Sequence, residues 1–172
     1  MEFFDSVQTR CSTRAFEART LEPEKLQKIL EAANRAPSAG NLQAYEIYAV
    51  SQQVTLQALA NASLGQAFVA QAPVALVFCA HPALSSRKYR KRGTSLYCVQ
   101  DASIACAYAQ LAATALGLAS VWVGAFDDDA VREAIGVGED LLPVAILPIG
   151  YAGEEPRATS RRSLASLVHY IS

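Results

Sequence analysis

The chain has 172 residues, 52% of them hydrophobic, and sets 15 Lys and Arg against 16 Asp and Glu for a formal net charge of −1. That length fits one domain, residues 1–172, with room for a real core, and the charge balance leaves no global field to draw the protein onto nucleic acid or an anionic membrane. No apolar run reaches the roughly 20 residues that span a bilayer; Met1 to Asp5 shows no basic stretch followed by an apolar one, so no cleaved secretory signal is expected and the reading is a cytoplasmic protein.

In chain order, a short helix is expected around Phe3 to Gln8. From Pro23 to Arg35 the spacing puts Leu26, Ile29, Leu30 and Ala33 on one helix face; Pro23 suits the first helical position and Pro37 ends the element. Tyr45 to Val50 reads as a strand, followed by a helix from about Gln53 to Asn61. Pro73 to Ala80 is short, apolar and bounded by turn formers, the pattern of a mid-sheet strand buried on both faces. His81 to Gly93 turns polar and basic and is read as a loop with a helical turn. Thr94 to Leu116 has no breaker and is apolar almost all round, as a core helix is; Gly117 suits the residue that closes it. Asp101, near the start of that helix, is costly to bury unpaired and is expected to cap or pair locally. Ala119 to Val123 is a strand, Asp127 to Ile135 a short helix and Leu142 to Gly150 a further strand. An irregular basic tail from Tyr151 to Ser163 leads to a helix or arm from Leu164 to Tyr170. Helices and strands alternate without a repeat, so the class is α+β, a mixed central sheet flanked by helices.

Several chemistries lack their residues. Gly136-Val137-Gly138 has neither the third glycine nor the preceding strand of a dinucleotide fingerprint, and no Walker lysine loop occurs. The two histidines, His81 and His169, have no carboxylate or cysteine at metal-ligand spacing, so no metal is expected and a hydrolytic triad has no base. Cys11, Cys79, Cys98 and Cys106 show no C-x-x-C spacing and read as reduced thiols.

Two short segments stand out instead. In Arg10-Cys11-Ser12-Thr13-Arg14 the alternation turns Arg10, Ser12 and Arg14 the same way in an extended chain. The arginine fork matches phosphate oxygens with charge-assisted donors, although the segment alone also fits a solvated turn. Pro37-Ser38-Ala39-Gly40-Asn41-Leu42-Gln43 is a small-residue loop with two amides.

With Ala72-Pro73-Val74, Tyr97 to Asp101, Leu111 to Leu118 leading into Val121-Trp122-Val123-Gly124, Pro148-Ile149-Gly150-Tyr151 and Arg161-Arg162, these segments in this order resemble the nitroreductase family of flavoenzymes, essentially end to end. The resemblance implies FMN held at the interface of an intertwined homodimer, two sites per dimer. Arg10, Ser12 and Arg161 would hold the FMN phosphate, and Arg14 would lie beside the pyrimidine edge, where positive charge favours the reduced, anionic ring. Pro37, Ser38 and Asn41 belong to a loop that approaches the flavin, Pro37 and Ser38 from the other subunit. Trp122, Val123 and Gly124 border the ring, with the Gly124 N–H toward flavin N5, and Gln66 aligns with a polar flavin contact. Cys11 lies within the cofactor-binding segment at a variable position and reads as packing. Phe68 stands where longer relatives often carry a lysine, and the alanines of the long helix suit a dimer core.

The activity so implied is an NADH- or NADPH-dependent FMN oxidoreductase that reduces nitroaromatics, quinones or similar small electron-poor acceptors by a ping-pong cycle. It needs no catalytic side chain beyond Arg14 and Gly124 tuning the flavin. The run Arg87-Lys88-Tyr89-Arg90-Lys91-Arg92 is then either a solvated surface or a lid that attracts the phosphates of the donor or an anionic substrate. Three rivals stay open: a same-fold flavoenzyme of other chemistry (reductive dehalogenation, enoate-type reduction, heterocycle dehydrogenation), a flavin-binding protein without NAD(P)H oxidation, and a non-enzymatic interaction module.

Overall fold

The computed structural model describes residues 1–157 and 159–171. Its elements follow one another as α1 (Phe3–Thr9), α2 (Pro23–Asn34), a 3-10 turn (Ala39–Asn41), β1 (Tyr45–Val50), α3 (Gln53–Ala62), α4 (Phe68–Gln71), β2 (Val74–Ala80), α5 (Pro82–Arg92), a π-helical turn (Gly93–Tyr97), α6 (Cys98–Ala115), β3 (Ala119–Ser120), α7 (Asp128–Ile135), β4 (Leu142–Gly150) and a 3-10 turn (Leu164–Ser166). Among the described residues no helix is long and apolar enough to cross a membrane.

The sheet runs β1-β2-β4-β3. Its strand pairs are antiparallel, and a parallel bridge between Ser12 and Ser120 supplies the mixed character at one side. Every residue of β2 is buried, because the strand alternates between two cores. Val74, Leu76 and Phe78 pack with Ile29 and Ala33 of α2 and with Ala105 and Ala109 of α6. Ala75, Val77 and Cys79 face Leu56 and Leu59 of α3, Val69 of α4 and Val131 of α7. Helices therefore cover both faces, as the continuous apolar run of this strand requires.

The small side chains of α6 let it lie directly on the sheet: Ala102, Ala105, Ala109 and Ala113 are all fully buried. A Schellman motif ends it, with Gly117 at φ +74°, its N–H donating to the Thr114 carbonyl at 3.0 Å and that of Leu118 to the Ala113 carbonyl at 2.9 Å, so the last carbonyls are satisfied by a left-handed glycine. Cys79, Cys98 and Cys106 are buried thiols, and burial pushes Cys79 up to about 12 and raises Cys98 and Cys106.

Three expectations are corrected. Residues 82–92 are helical rather than a loop, with a break at Arg90 (φ +50°, ψ −134°): Pro82 takes a first-turn position and His81 Nδ1 accepts the Leu84 N–H at 3.4 Å. The charged residues point to solvent while Ser85 is buried, and hydrophobic periodicity is blind to so short a buried stripe. The stretch from Thr94 is not one helix but a π-helical turn feeding α6; Gly93 sits so close to Ser85 that a Cβ there would lie 2.5 Å from the Ser85 carbonyl oxygen. Strand β3 is two residues long, with Val123 rejoining β4 only through mutual N–H···O bonds of 2.9 Å with Ile146.

Candidate functional site

The site begins with backbone pairing. The Thr13 N–H donates to the Ser120 carbonyl at 3.2 Å, the Glu17 N–H to the Tyr151 carbonyl at 3.0 Å, and the Gly153 N–H to the Ala15 carbonyl at 2.8 Å. The N-terminal segment is thereby an extended ribbon laid between β3 and the start of the tail. Thr13 is buried while Ser12 and Arg14 on either side of it are exposed, the alternation that an extended chain imposes.

That pairing assembles a cavity of about 380 Å³ lined by Arg10, Ser12, Thr13 and Arg14 from one end of the chain and by Glu154, Glu155, Arg157, Thr159 and Arg161 from the other. Four arginines outnumber two glutamates there, and the Glu154 carboxylate is occupied by the Arg14 backbone N–H at 2.5 Å. Guanidinium forks with hydroxyls beside them form the donor set that a phosphate dianion needs. Cys11 lines the adjoining cavity with Arg10, Arg157 and Arg161; its thiol lies 3.7 Å from the Thr13 hydroxyl. Arg157 and Thr159 escaped sequence reasoning, and the only trace of them was the basic character of the tail.

The bridge from Ser12 to Ser120 ties the ribbon that lines this cavity to the strand leading into Trp122-Val123-Gly124. The Val123 side chain is buried in the core while Trp122 and Gly124 are exposed. A Cβ at Gly124 would meet only the edge of the Trp122 indole, at 3.4 Å, so this backbone lies open to a flat ligand. Gln66 Nε2 donates to the carbonyls of Ser63 at 2.9 Å and Ala125 at 3.3 Å, fixing the chain just after Gly124. Phe68 packs against the core.

Pro37 and Ser38 lie elsewhere in the protomer. They line a groove of about 490 Å³ with Ala39, Tyr97, Asp101 and Ile104. The loop carrying them is left-handed at Gly40 (φ +59°), Asn41 (+57°) and Gln43 (+44°), a conformation costing of order 1–3 kcal/mol at each non-glycine position. Its internal bonds run from the Gln43 N–H and Nε2 to Ser38 Oγ at 2.9 and 3.2 Å, and from Gln43 Nε2 to Asn41 Oδ1 at 2.6 Å. Asp101 does not pair within its own helix: Oδ1 accepts the Ala39 N–H at 2.8 Å, 62 positions away in sequence. Neither histidine lines these cavities, and the described residues contain no cluster of potential metal ligands.

FMN fits the cationic cavity by donor chemistry and the Gly124 segment by its open face. A family model described as the nitroreductase family matches residues 7–70 and 60–151. A protein of Archaeoglobus fulgidus whose name pairs NADH dehydrogenase with NAD(P)H nitroreductase is 34% identical over 158 residues, which cover 90% of this chain and 87% of that one. The crystal structure of a nitroreductase family protein from Clostridium difficile superposes with a TM-score of 0.88 at 32% identity, covering 100% and 99% of the two chains. A structure from the same species named as an FMN-dependent nitroreductase gives 0.84 at 30% identity, covering 98% and 99%.

Proposed function

The chain belongs to the nitroreductase family, and from that premise we propose that it is an FMN-dependent oxidoreductase that draws electrons from NADH or NADPH to reduce small electron-poor acceptors such as nitroaromatics or quinones. The observation that carries the reading is the cavity in which Arg10, Ser12, Arg14 and Arg161 meet from opposite ends of the chain.

Arg10, Ser12 and Arg161 bind the FMN phosphate, joined by Arg157 and Thr159. Arg14 keeps a permanent cation beside the site, where it favours added negative charge on the bound ring. Gly124 leaves room for close approach and offers its N–H. When bound, FMN supplies the two-electron carrier between the nicotinamide donor and the acceptor. Donor and acceptor use the same space in turn, and the chain contributes binding, orientation and charge rather than a nucleophile.

The reading includes a homodimer with FMN at the subunit interface. The groove at Pro37 and Ser38 does not share the arginine cavity within one protomer, which suits a site completed by the second copy. Apolar side chains at both ends, among them Phe3, Phe4, Leu164, Tyr170 and Ile171, are exposed, and so much apolar surface is rarely left to water.

The test is the visible spectrum of the purified protein with FMN, then with anaerobic NADH and NADPH. Bound flavin that bleaches with either nucleotide is the expected result and names the donor. Bound flavin that stays yellow moves the protein to a same-fold flavoenzyme of other chemistry, and failure to bind FMN removes the proposal.

A further inference from the structure

We propose that Asp101 is a positioning residue for the FMN site, acting from α6 through the loop Pro37–Gln43. The inference rests on the functional reading above, since that reading makes the loop a wall of the site.

Asp101 is 2% exposed, and its second oxygen, Oδ2, has no partner among the described residues. A buried carboxylate with a single bond from the chain is an expensive way to stabilise a fold, and apolar packing at this position would cost less. What the carboxylate does hold is specific. The 3-10 turn Ala39–Asn41 opens on Ser38, whose hydroxyl would ordinarily cap it. Ser38 Oγ is turned instead to the Gln43 N–H and Nε2, and no side chain of the loop caps the turn. Asp101 instead holds the first N–H of the turn from outside, accepting that of Ala39 at 2.8 Å. Lys88 and Tyr89 of α5 also close on Gly40, where a Cβ would lie 2.5 Å from the Tyr89 hydroxyl and 2.6 Å from the Lys88 ammonium.

The loop is thus clamped by two helices. The clamp has work to do, because the left-handed residues at 40, 41 and 43 do not hold that shape unaided. Released at Ala39, the turn relaxes, and Pro37, Ser38 and Asn41 lose their fixed positions together. The required property is an acceptor oxygen at this point, which an asparagine can reproduce.

The experiment compares wild type, Asp101→Ala and Asp101→Asn as full-length proteins. It reads FMN affinity by fluorescence quenching and hydrogen exchange of the amides of residues 39–42 in FMN-free protein, with circular dichroism to confirm folding. Asp101→Ala is expected to raise the FMN Kd at least tenfold and speed exchange in the loop, and Asp101→Asn to restore both to within threefold of wild type. Should Asp101→Ala fail to fold, Ala39→Pro removes the donor without touching the core, since Ser38 at φ −138° and ψ 156° already has the backbone that precedes proline; it is expected to weaken FMN binding to a similar extent. FMN affinity within twofold of wild type in a folded Asp101→Ala or Ala39→Pro protein, or a loss that Asp101→Asn does not restore, overturns the assignment while leaving the FMN reading intact. A wild-type protein that binds no FMN overturns both.

Discussion

Arg10 and Arg161 are far apart in sequence, yet both line the cavity proposed for the FMN phosphate, so each is a separate handle on it. A charge-assisted hydrogen bond contributes about 1.5–3 kcal/mol and 1.4 kcal/mol is tenfold in affinity. Arg10→Ala or Arg161→Ala is therefore expected to weaken FMN binding by about tenfold or more, most clearly at low salt, measured by equilibrium titration. A second residue-scale cluster lies around Tyr151. Its hydroxyl donates to the Glu22 carboxylate at 2.7 Å and accepts from Lys25 Nζ at 2.7 Å, with the Arg19 guanidinium stacked 3.5 Å from the ring centroid. The Tyr151 hydrogen bond, helped by the backbone and by Lys25, lowers Glu22 from 4.5 to about 2. A depressed folded value means that this stabilisation is fully present above the unfolded pKa and lost as pH falls through the folded one. Between about pH 5 and pH 2 the Tm of wild type should thus fall more steeply than that of Glu22→Gln; parallel curves would show that the carboxylate adds nothing.

At the scale of elements, two glycines separate two kinds of constraint. Gly117 has φ +74° and nothing within 4 Å of an added Cβ, so Gly117→Ala carries only the left-handed backbone cost of about 1–2 kcal/mol. Gly93 has an ordinary helical backbone, but a Cβ there drives into the Ser85 carbonyl, which cannot swing aside as a side chain can. Gly93→Ala is expected to cost about 1–3 kcal/mol from overpacking and to loosen the junction of α5 with α6. Denaturant midpoints measure both, and equal folding of Gly93→Ala and wild type would deny that close approach. The same contrast explains what was legible in the sequence. Strands β1 and β4 appeared at their observed limits, and β2 one residue long at its start, because apolar runs between turn formers carry their own boundaries. Helix α5 was hidden, since its buried stripe is short and its charges imitate a loop. The π-helical turn was hidden because its cause is a contact between Gly93 and Ser85, not a local propensity. Arg10, Ser12, Arg14 and Arg161 could be nominated from residue type and resemblance, whereas Arg157 and the bond from Asp101 to Ala39 depend on chain segments brought together only by folding.

For the whole molecule, the proposed site is divided between copies, so assembly and cofactor binding should rise and fall together. Removing the chain from Leu164 onward takes away Leu164, Leu167, Tyr170 and Ile171, all exposed in the protomer. Sedimentation velocity is expected to show the truncated protein shifted toward monomer, with weaker FMN retention. A truncated protein that stays dimeric and yellow would remove the tail from the interface. The distribution of sulfur in the fold provides one more tool. Three of the four thiols are sealed in the interior and kept protonated there, which deprives them of the reactive thiolate, while Cys11 stands half-exposed in the cavity that adjoins the arginine cavity. The native protein therefore has a built-in footprinting label: a disulfide reagent should titrate one equivalent before unfolding and four after it, and the rate of that first equivalent should report, without any engineered dye, whether the neighbouring cavity is filled.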